Sequence, residues 1–417
     1  MKILVKSAKV IDNESPFNNK VVDILIEDGV IKEIASPIKV KKVDQEISFE
    51  NLHVSQGWFD SSVSFGEPGY EDRETLENGL LTAGKSGFTS IALNPANLPV
   101  TDTKGAVSFL ISKAKSSPVE LHPIGALTKE GKGTDLAELY DMQQAGAVAF
   151  GDYQSAITNP NLLKLALQYA QNFDGLIQSF PQDNKIAGNG QVNENETSTL
   201  LGLKGIPSLA EELQITRDLY ILEYTGGKLH IPTISTAKSV ELIRKAKEDG
   251  LDVSCSVAIH HLVLTDELLK EFDTNAKILP PLRTRSDVKA LIAGIKDGTI
   301  DMVTSDHLPI DVEHKKMEFD NALFGSIGLE SALGALLRVL PVKMAIKMLT
   351  AGKVRYNLSE EIIEVGSRAN LTFFDPDHEY TFNLPDVHST SKNSVFFGQE
   401  LKGKVFGVFS KNIYLQS

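Results

Sequence analysis

The residue types that could do chemistry in this chain are few and widely spaced. Asp306 and His307 are adjacent in Ser305-Asp306-His307, Asp152 precedes Tyr153, His260 and His261 form a pair, and Cys255 is the single cysteine. A carboxylate beside an imidazole can hold a cation or move a proton, so Asp152, Asp306 and His307 form one constellation to weigh. It is thin: a catalytic zinc takes three protein ligands, and one carboxylate does not hold it. Each group also has a plainer reading. Asp306 can accept backbone N–H bonds at a strand end, and His307 can be a buried, hydrogen-bonded ring. Cys255 lies in an alternating strand and reads as a small buried hydrophobe. The Asn-rich stretch Asn189-Gly-Gln-Val-Asn-Glu-Asn-Glu196 has no ligand spacing and reads as a surface loop.

Repeated strand, loop and helix signals must position these groups. Ser208-Leu-Ala-Glu211 reads as a capping box opening a helix that stops at Gly226-Gly227, and residues 229–234 follow as a strand. A helix from about Thr236 ends near Asp249-Gly250. Val253–Val257 is the next strand, and Ser286 is placed as the cap of a helix before Ile300–Thr304. Such βα units over roughly 300 residues predict a (β/α)8 barrel, with chemistry at the C-terminal ends of its strands. The alternative of a doubly wound open sheet lacks a Gly-rich phosphate fingerprint after the first strand. The two ends resemble each other in texture and differ from this middle region. Residues 2–11 and 21–35, around Asp28-Gly29, alternate apolar and polar side chains, as do 369–382 and 401–415. They predict one discontinuous β-sandwich from residues 1–53 and 365–417, with the barrel over 54–364.

Composition excludes several classes. With 41% hydrophobic and 23% charged residues the 417-residue chain is globular, and its net charge of −13 without a dense basic run argues against nucleic-acid and anionic-membrane partners. One cysteine makes no internal disulfide, and no segment reads as a signal peptide or membrane span, so the expected compartment is the cytoplasm.

The segment Gly57-Trp-Phe-Asp-Ser-Ser-Val-Ser-Phe-Gly-Glu-Pro-Gly69 resembles the dihydroorotase signature G-x-x-D-x-H-x-H-x-R-E-P-G of the amidohydrolase superfamily. Collinear matches follow at Gly146–Phe150, Leu200–Leu203, Ala210-Glu211-Glu212, His230–Thr236, Pro280-Pro281-Leu282-Arg283, Ser305–Pro309 and Gly328-Leu329-Glu330. The resemblance spans nearly the whole chain and points to the aspartate transcarbamoylase-associated branch.

Carried over position by position, the resemblance implies a site that has lost its ligands. Alternate residues of a strand face the same way, so an H-x-H pair shares a metal; here those positions are Ser62 and Ser64. The acidic ligand falls on Tyr153, with Asp152 one residue before it, and a slip of one residue would restore the acid. The two later histidine ligands fall on Phe180 and Thr233. Asp306 alone is retained. The carboxylate-gripping arginine of relatives falls on Gly66, and a guanidinium fork is absent there. Of two substrate-binding asparagines, one falls on Pro95 and the other survives as Asn97. Two more contact positions fall on Leu279 and Ile310. The pair His260-His261 has a counterpart in relatives outside the metal set, which implies packing or hydrogen bonding.

Zinc, the cofactor of active relatives, is therefore not expected. Zinc lowers the pKa of water from about 15.7 to about 7, so its loss hinders hydroxide generation by up to roughly 8 units, on the order of 11 kcal/mol. Tyr153 and Phe180 are expected to lean into the vacated centre. Three functions follow. The first is a catalytically inactive dihydroorotase homologue of pyrimidine biosynthesis, working in a homo- or hetero-oligomer as a structural or regulatory partner of aspartate transcarbamoylase, with which inactive homologues assemble. The second is an active cyclic-amide hydrolase with a rebuilt or metal-free site. The third is a small-molecule sensor.

Overall fold

Both chain ends pair into one eight-stranded sheet in the computed structural model, which describes residues 1–417. The N-terminal end supplies β1 (Lys2–Val10), β2 (Val21–Glu27), β3 (Val30–Ala35), β4 (Gln45–Ile47) and β5 (His53–Gln56). Asp28 and Gly29 both adopt positive φ, 50° and 79°, as a two-residue hairpin loop between twisted strands requires. The middle of the chain forms the barrel strands β6 (Trp58–Val63), β7 (Phe88–Leu93), β8 (Glu120–Gly125), β9 (Ala149–Phe150), β10 (Leu176–Gln178), β11 (Lys228–Ile231), β12 (Val253–Ala258) and β13 (Met302–Thr304), paired in parallel in chain order. The C-terminal end returns to the first sheet with β14 (Leu371–Thr381), β15 (Glu400–Ser410) and β16 (Ile413–Gln416). The run 401–415 folds as two strands. It turns at Lys411 and Asn412, both at positive φ.

The terminal sheet runs β16-β15-β14-β5-β1-β2-β3, with β4 beside β1. Its inward residues, among them Ile3, Val5, Ile24, Ile26, Phe373 and Phe409, build a core separate from that of the barrel. β5 pairs antiparallel with β14, so the chain steps from this sheet into the barrel within two residues of Gln56. No helix is long and apolar enough to cross a membrane.

Strands β6, β7 and β12 are buried from end to end because helices cover their outer faces, yet each carries polar side chains, among them Asp60, Ser62, Ser90, Ser254 and Ser256, which point into hydrogen-bonded networks or the barrel. The seam between β6 and β13 closes through the Asp60 side chain and one backbone bond just past the strand ends. Asp60 accepts hydrogen bonds from the Ser62 N–H (3.1 Å), the Ser305 N–H (2.9 Å) and the Thr304 hydroxyl, and the Ser64 N–H donates to the His307 carbonyl at 2.7 Å. Burial pushes the Asp60 carboxyl up, and those donors oppose the shift.

Two helix starts differ from their sequence reading. Helix Ser208–Thr225 has Pro207 at its N-cap, and no side chain caps it. Glu211 is instead drawn inward to a buried ion pair, which outweighs a surface cap. Helix Arg285–Asp297 is capped by Thr284 in a reciprocal box with Asp287, not by Ser286.

Candidate functional site

The C-terminal ends of the barrel strands converge on Asp306. Its Oδ1 accepts from the Ser62 hydroxyl at 3.0 Å and from the Tyr153 hydroxyl at 3.3 Å. Asn94, just past the end of β7, donates from its side-chain amide to both the Ser62 and Ser64 hydroxyls at 3.1 Å. The two serines therefore do face one centre, as alternation along β6 requires, and an amide joins them. Burial lifts Asp306 to about 7, against the opposing pull of the Ser62 and Tyr153 bonds. The Tyr153 phenol is held protonated by burial and by the neighbouring Asp306.

This donor set does not fit zinc. Ser62, Ser64 and Tyr153 offer neutral oxygens already engaged in hydrogen bonds, Asn94 turns N–H donors toward the centre, and Asp306 is the one carboxylate. No group of three His, Cys, Asp or Glu side chains is arranged to hold a metal ion. Asp152 is engaged with the loop after β8. Its two oxygens are occupied by the Thr128 N–H (3.0 Å) and hydroxyl (2.5 Å).

Phe180 is buried in an apolar cluster with Ala187, Ile206, Ala210 and Leu279, against which Phe324 packs. Two positions carrying polar groups in the resemblance, 180 and 279, thus belong to one hydrophobic contact. Thr233 is fixed by its backbone N–H, which donates to the Ser256 hydroxyl at 3.1 Å. Tyr153, Thr233 and Asp306 all adopt left-handed backbone, with φ of 49°, 48° and 47°. For β-branched Thr233 this is a true outlier, worth of order 1–3 kcal/mol of strain, of the kind that clusters at functional sites.

The remaining positions serve the loops. Asn97 donates to the Glu67 carbonyl at 3.0 Å and accepts from the Thr101 hydroxyl at 3.3 Å, so both ends of its amide are used internally. The Ile310 side chain is buried, and its N–H donates to Asn393. Pro95, Asp152 and Tyr153 line a cleft of about 240 Å³ at the barrel mouth, together with Ala126 and Glu130. Gly66 sits where the loop folds back on itself. Its N–H donates to the Glu74 carbonyl at 2.9 Å, and a Cβ there would lie 1.7 Å from the Tyr70 carbonyl oxygen. An arginine cannot return to this position unless the backbone moves. Gly66→Ala is expected to lower stability by roughly 1–3 kcal/mol, the usual range for overpacking, read from the urea midpoint; an unchanged midpoint would show that the loop gives way freely.

His307 is fully buried. Its Nδ1 accepts from the Gly328 N–H at 3.2 Å and the Leu329 N–H at 3.4 Å, and burial pushes its pKa down. The neutral ring thus carries its proton on Nε2, which is buried without a hydrogen-bond partner. His260 and His261 are buried side by side, with His261 Nε2 on the Pro280 and Pro281 carbonyls. Cys255 is buried and burial pushes its thiol up, so it is no nucleophile.

Three features escaped the sequence reading. Asn94 ties the centre together, and nothing in its local sequence signals that role. Asp60 closes the barrel, although it stands as the acidic residue of the Gly57-x-x-Asp60 motif. Third, the Asn-rich stretch is not merely a surface loop. Asn193 is buried, donates to Asp266 at 2.7 Å and accepts from Arg283 Nη1 at 2.8 Å. Arg283 also lies 3.6 Å from buried Glu211, whose oxygens accept from the Ser235 N–H (2.8 Å) and the Ser239 hydroxyl (2.6 Å).

A parallel eight-stranded barrel carrying a sheet made from both chain ends is the architecture of the hydantoinase type of amidohydrolase. L-hydantoinase (dihydropyrimidinase) from Arthrobacter aurescens has the same fold, with a TM-score of 0.87 over 100% of this chain and 96% of its own, at 21% identity. Sequence gives the closer assignment: the chain belongs to the dihydroorotase family. The Dihydro-orotase-like family model matches residues 53–239. The chain is 40% identical to dihydroorotase of Acetivibrio thermocellus over 412 residues, covering 97% of this chain and 96% of the relative. It is 41% identical to dihydroorotase of Ruminiclostridium cellulolyticum over 413 residues, with the same coverage.

Proposed function

We propose that this dihydroorotase-family chain is a pseudoenzyme of pyrimidine biosynthesis that serves as a structural or regulatory partner of aspartate transcarbamoylase. One observation carries the reading: the barrel centre is a closed hydrogen-bond network of Ser62, Ser64, Asn94, Tyr153 and Asp306, with no set of ligands for a hydrolytic metal. The left-handed backbone at Tyr153, Thr233 and Asp306 supports it further, being strain of the kind that clusters at functional sites, kept here where Asp306 is the one remaining carboxylate. Asp306 does not replace the metal. A carboxyl at about 7 can accept a proton, but it supplies no cation to bind hydroxide or to polarise the amide carbonyl.

The protein purified without chelator is expected to carry far less than one zinc per chain by plasma mass spectrometry. It should neither open dihydroorotate nor close carbamoyl aspartate. Returning histidine at Ser62 and Ser64 alone should not rescue turnover, because Phe180, Thr233 and Gly66 remain. Stoichiometric zinc that is lost on Asp306→Ala would overturn the reading. Turnover that survives chelation and disappears in Asp306→Asn would establish a metal-free enzyme instead.

The partner has its own test. Co-expressed with the native aspartate transcarbamoylase, the chain should co-elute with it in size-exclusion chromatography, through an interface burying at least roughly 1,000 Å². Independent elution at micromolar concentration, with transcarbamoylase activity unchanged when this chain is deleted, would leave the cleft at Pro95 and Tyr153 as the functional feature and favour a small-molecule sensor.

A further inference from the structure

A second cavity, of about 280 Å³, lies at the seam between the terminal sheet and the barrel, and none of its lining residues belongs to the network around Asp306. The end of helix Leu76–Lys85 and helix Ala332–Val339 form one wall, and β14 and β15 form the other. β14 is bulged here: Asp375 pairs with Lys404 and Glu379 with Lys402, so four steps of one strand face two of the other. Bulges of this kind re-aim side chains. His378 and Tyr380, on the bulged stretch, stack with their ring centroids 6.0 Å apart and 26° between their planes. Helix Ala332–Val339 meets Tyr380 with Gly334, where a Cβ would lie 2.7 Å from the phenol oxygen. The hydroxyl reaches that wall because position 334 carries no side chain.

The polar groups of this cavity lack partners. Glu330 uses one carboxylate oxygen, which accepts from the Ser389 N–H at 3.0 Å and the Ser389 hydroxyl at 2.6 Å, while its Oε2 is buried without a hydrogen bond. The Ser86 hydroxyl, on a residue 6% exposed, is buried and unpaired as well, and the Tyr380 hydroxyl has no partner. Such groups are exceptions in a folded chain, and each calls for a physical reason. The charges are held apart too. Lys402 pairs with Asp377 at 3.1 Å. Lys85 and Lys404 pair with no carboxylate, and Glu330 and Asp386 pair with no cation, although all four line the one cavity. Lys85, Glu330 and Asp386 all act on the His388 ring, which burial keeps neutral, so these charges converge on a common space. Two cations and two anions that share a space without pairing are complementary to a ligand carrying one charge of each sign. We propose that this cavity binds a small zwitterion of the α-amino-acid class, its ammonium donating to Glu330 Oε2 and its carboxylate facing Lys85 and Lys404. Phosphate would satisfy the lysines alone and meet two carboxylates, and a simple amine would satisfy Glu330 alone. Leu333 and Val405 supply an apolar surface for the side chain. The volume lies just below the roughly 300–1,000 Å³ of drug-sized sites, and a domain seam is a common place for a small-molecule site.

Isothermal titration of the full chain with the common α-amino acids, one by one, is expected to find at least one that saturates at one per chain with a Kd below about 1 mM. Its N-acetyl derivative and its decarboxylated amine, each missing one charge, should bind at least roughly 10-fold more weakly. Glu330→Gln keeps the side-chain shape and the oxygen that accepts from Ser389, and should weaken binding roughly 10- to 100-fold with unchanged circular dichroism. Lys85→Met combined with Lys404→Met should weaken it roughly 3-fold or more. Glu130→Gln, in the barrel-mouth cleft, should leave it unchanged. None of these readouts involves zinc content or transcarbamoylase, so the cavity and the pseudoenzyme reading stand or fall separately. No heat from any amino acid at roughly 10 mM, tighter binding of inorganic phosphate than of any amino acid, or binding that Glu330→Gln leaves intact would overturn the proposal. Binding lost in Glu130→Gln and kept in Glu330→Gln would overturn it by placing the ligand at the barrel mouth.

Discussion

Asp306→Asn is expected to stabilise the protein by about 4 kcal/mol more at pH 8 than at pH 4, the free-energy equivalent of a shift from 3.8 to about 7. The sign follows from proton binding. Between these values the folded chain holds a proton on Asp306 that the unfolded chain has released, so stability is fully present below pH 4 and is lost as pH rises through 7. Asparagine has nearly the shape of the protonated carboxyl and can still accept from Ser62 and Tyr153, but it cannot ionise. Urea unfolding of both proteins at the two pH values measures the change, and other titrating groups cancel in the difference. A gap independent of pH would mean that the carboxylate is already charged in the fold at pH 4, as a bound cation would impose. The same measurement therefore tests the hydrogen-bonded centre by a route separate from zinc content and turnover.

Arg283→Met is expected to cost roughly 3–5 kcal/mol, the range for breaking a buried pair by removing one partner. Arg283 and Glu211 are each only 2% exposed. Burial pulls the guanidinium pKa down and Glu211 holds it up, while its N–H groups reach Ser235 at 3.0 Å, Asn193 at 2.8 Å and the Ile206 carbonyl at 2.9 Å. Methionine would leave the Glu211 carboxylate buried without a cation and the Asn193 side-chain oxygen unpaired, while the Ile206 carbonyl would keep the Glu194 N–H at 3.1 Å. Adding Glu211→Gln should recover a substantial part of the loss, because neutralising both members removes the stranded charge. Denaturant midpoints of the two single variants and the double variant form the cycle. A cost below about 1 kcal/mol for Arg283→Met would show that serine hydroxyls and backbone N–H groups hold the carboxylate unaided.

Sequence by itself determined the architecture, because patterning at periods of 2 and 3.6 and turn glycines act locally. Alternation at both ends marked the terminal sheet, and Asp28-Gly29 marked its hairpin. Gly226-Gly227 and Thr236 bounded the helices around β11, and the collinear motifs placed the chain among the dihydroorotases. Alternation along β6 also put Ser62 and Ser64 on one side. Tertiary structure decided what those side chains do. Nothing local to Asn94 shows that it bridges two serines on the neighbouring strand, or that Asp60 closes the seam to β13. Ser208-x-x-Glu211 has the spacing of a capping box, yet Glu211 turns inward, where the Ser235 and Thr236 N–H groups, the Ser239 hydroxyl and Arg283, 72 residues later, surround its carboxylate. Asp306 reads as an ordinary acid until burial lifts it to about 7. Gly66 reads as a missing arginine until the Tyr70 carbonyl is seen to fill the space a side chain would need. Hydrogen-bond partners, desolvation and close approach are set by segments far apart in the chain, and only their convergence at the barrel mouth fixes them.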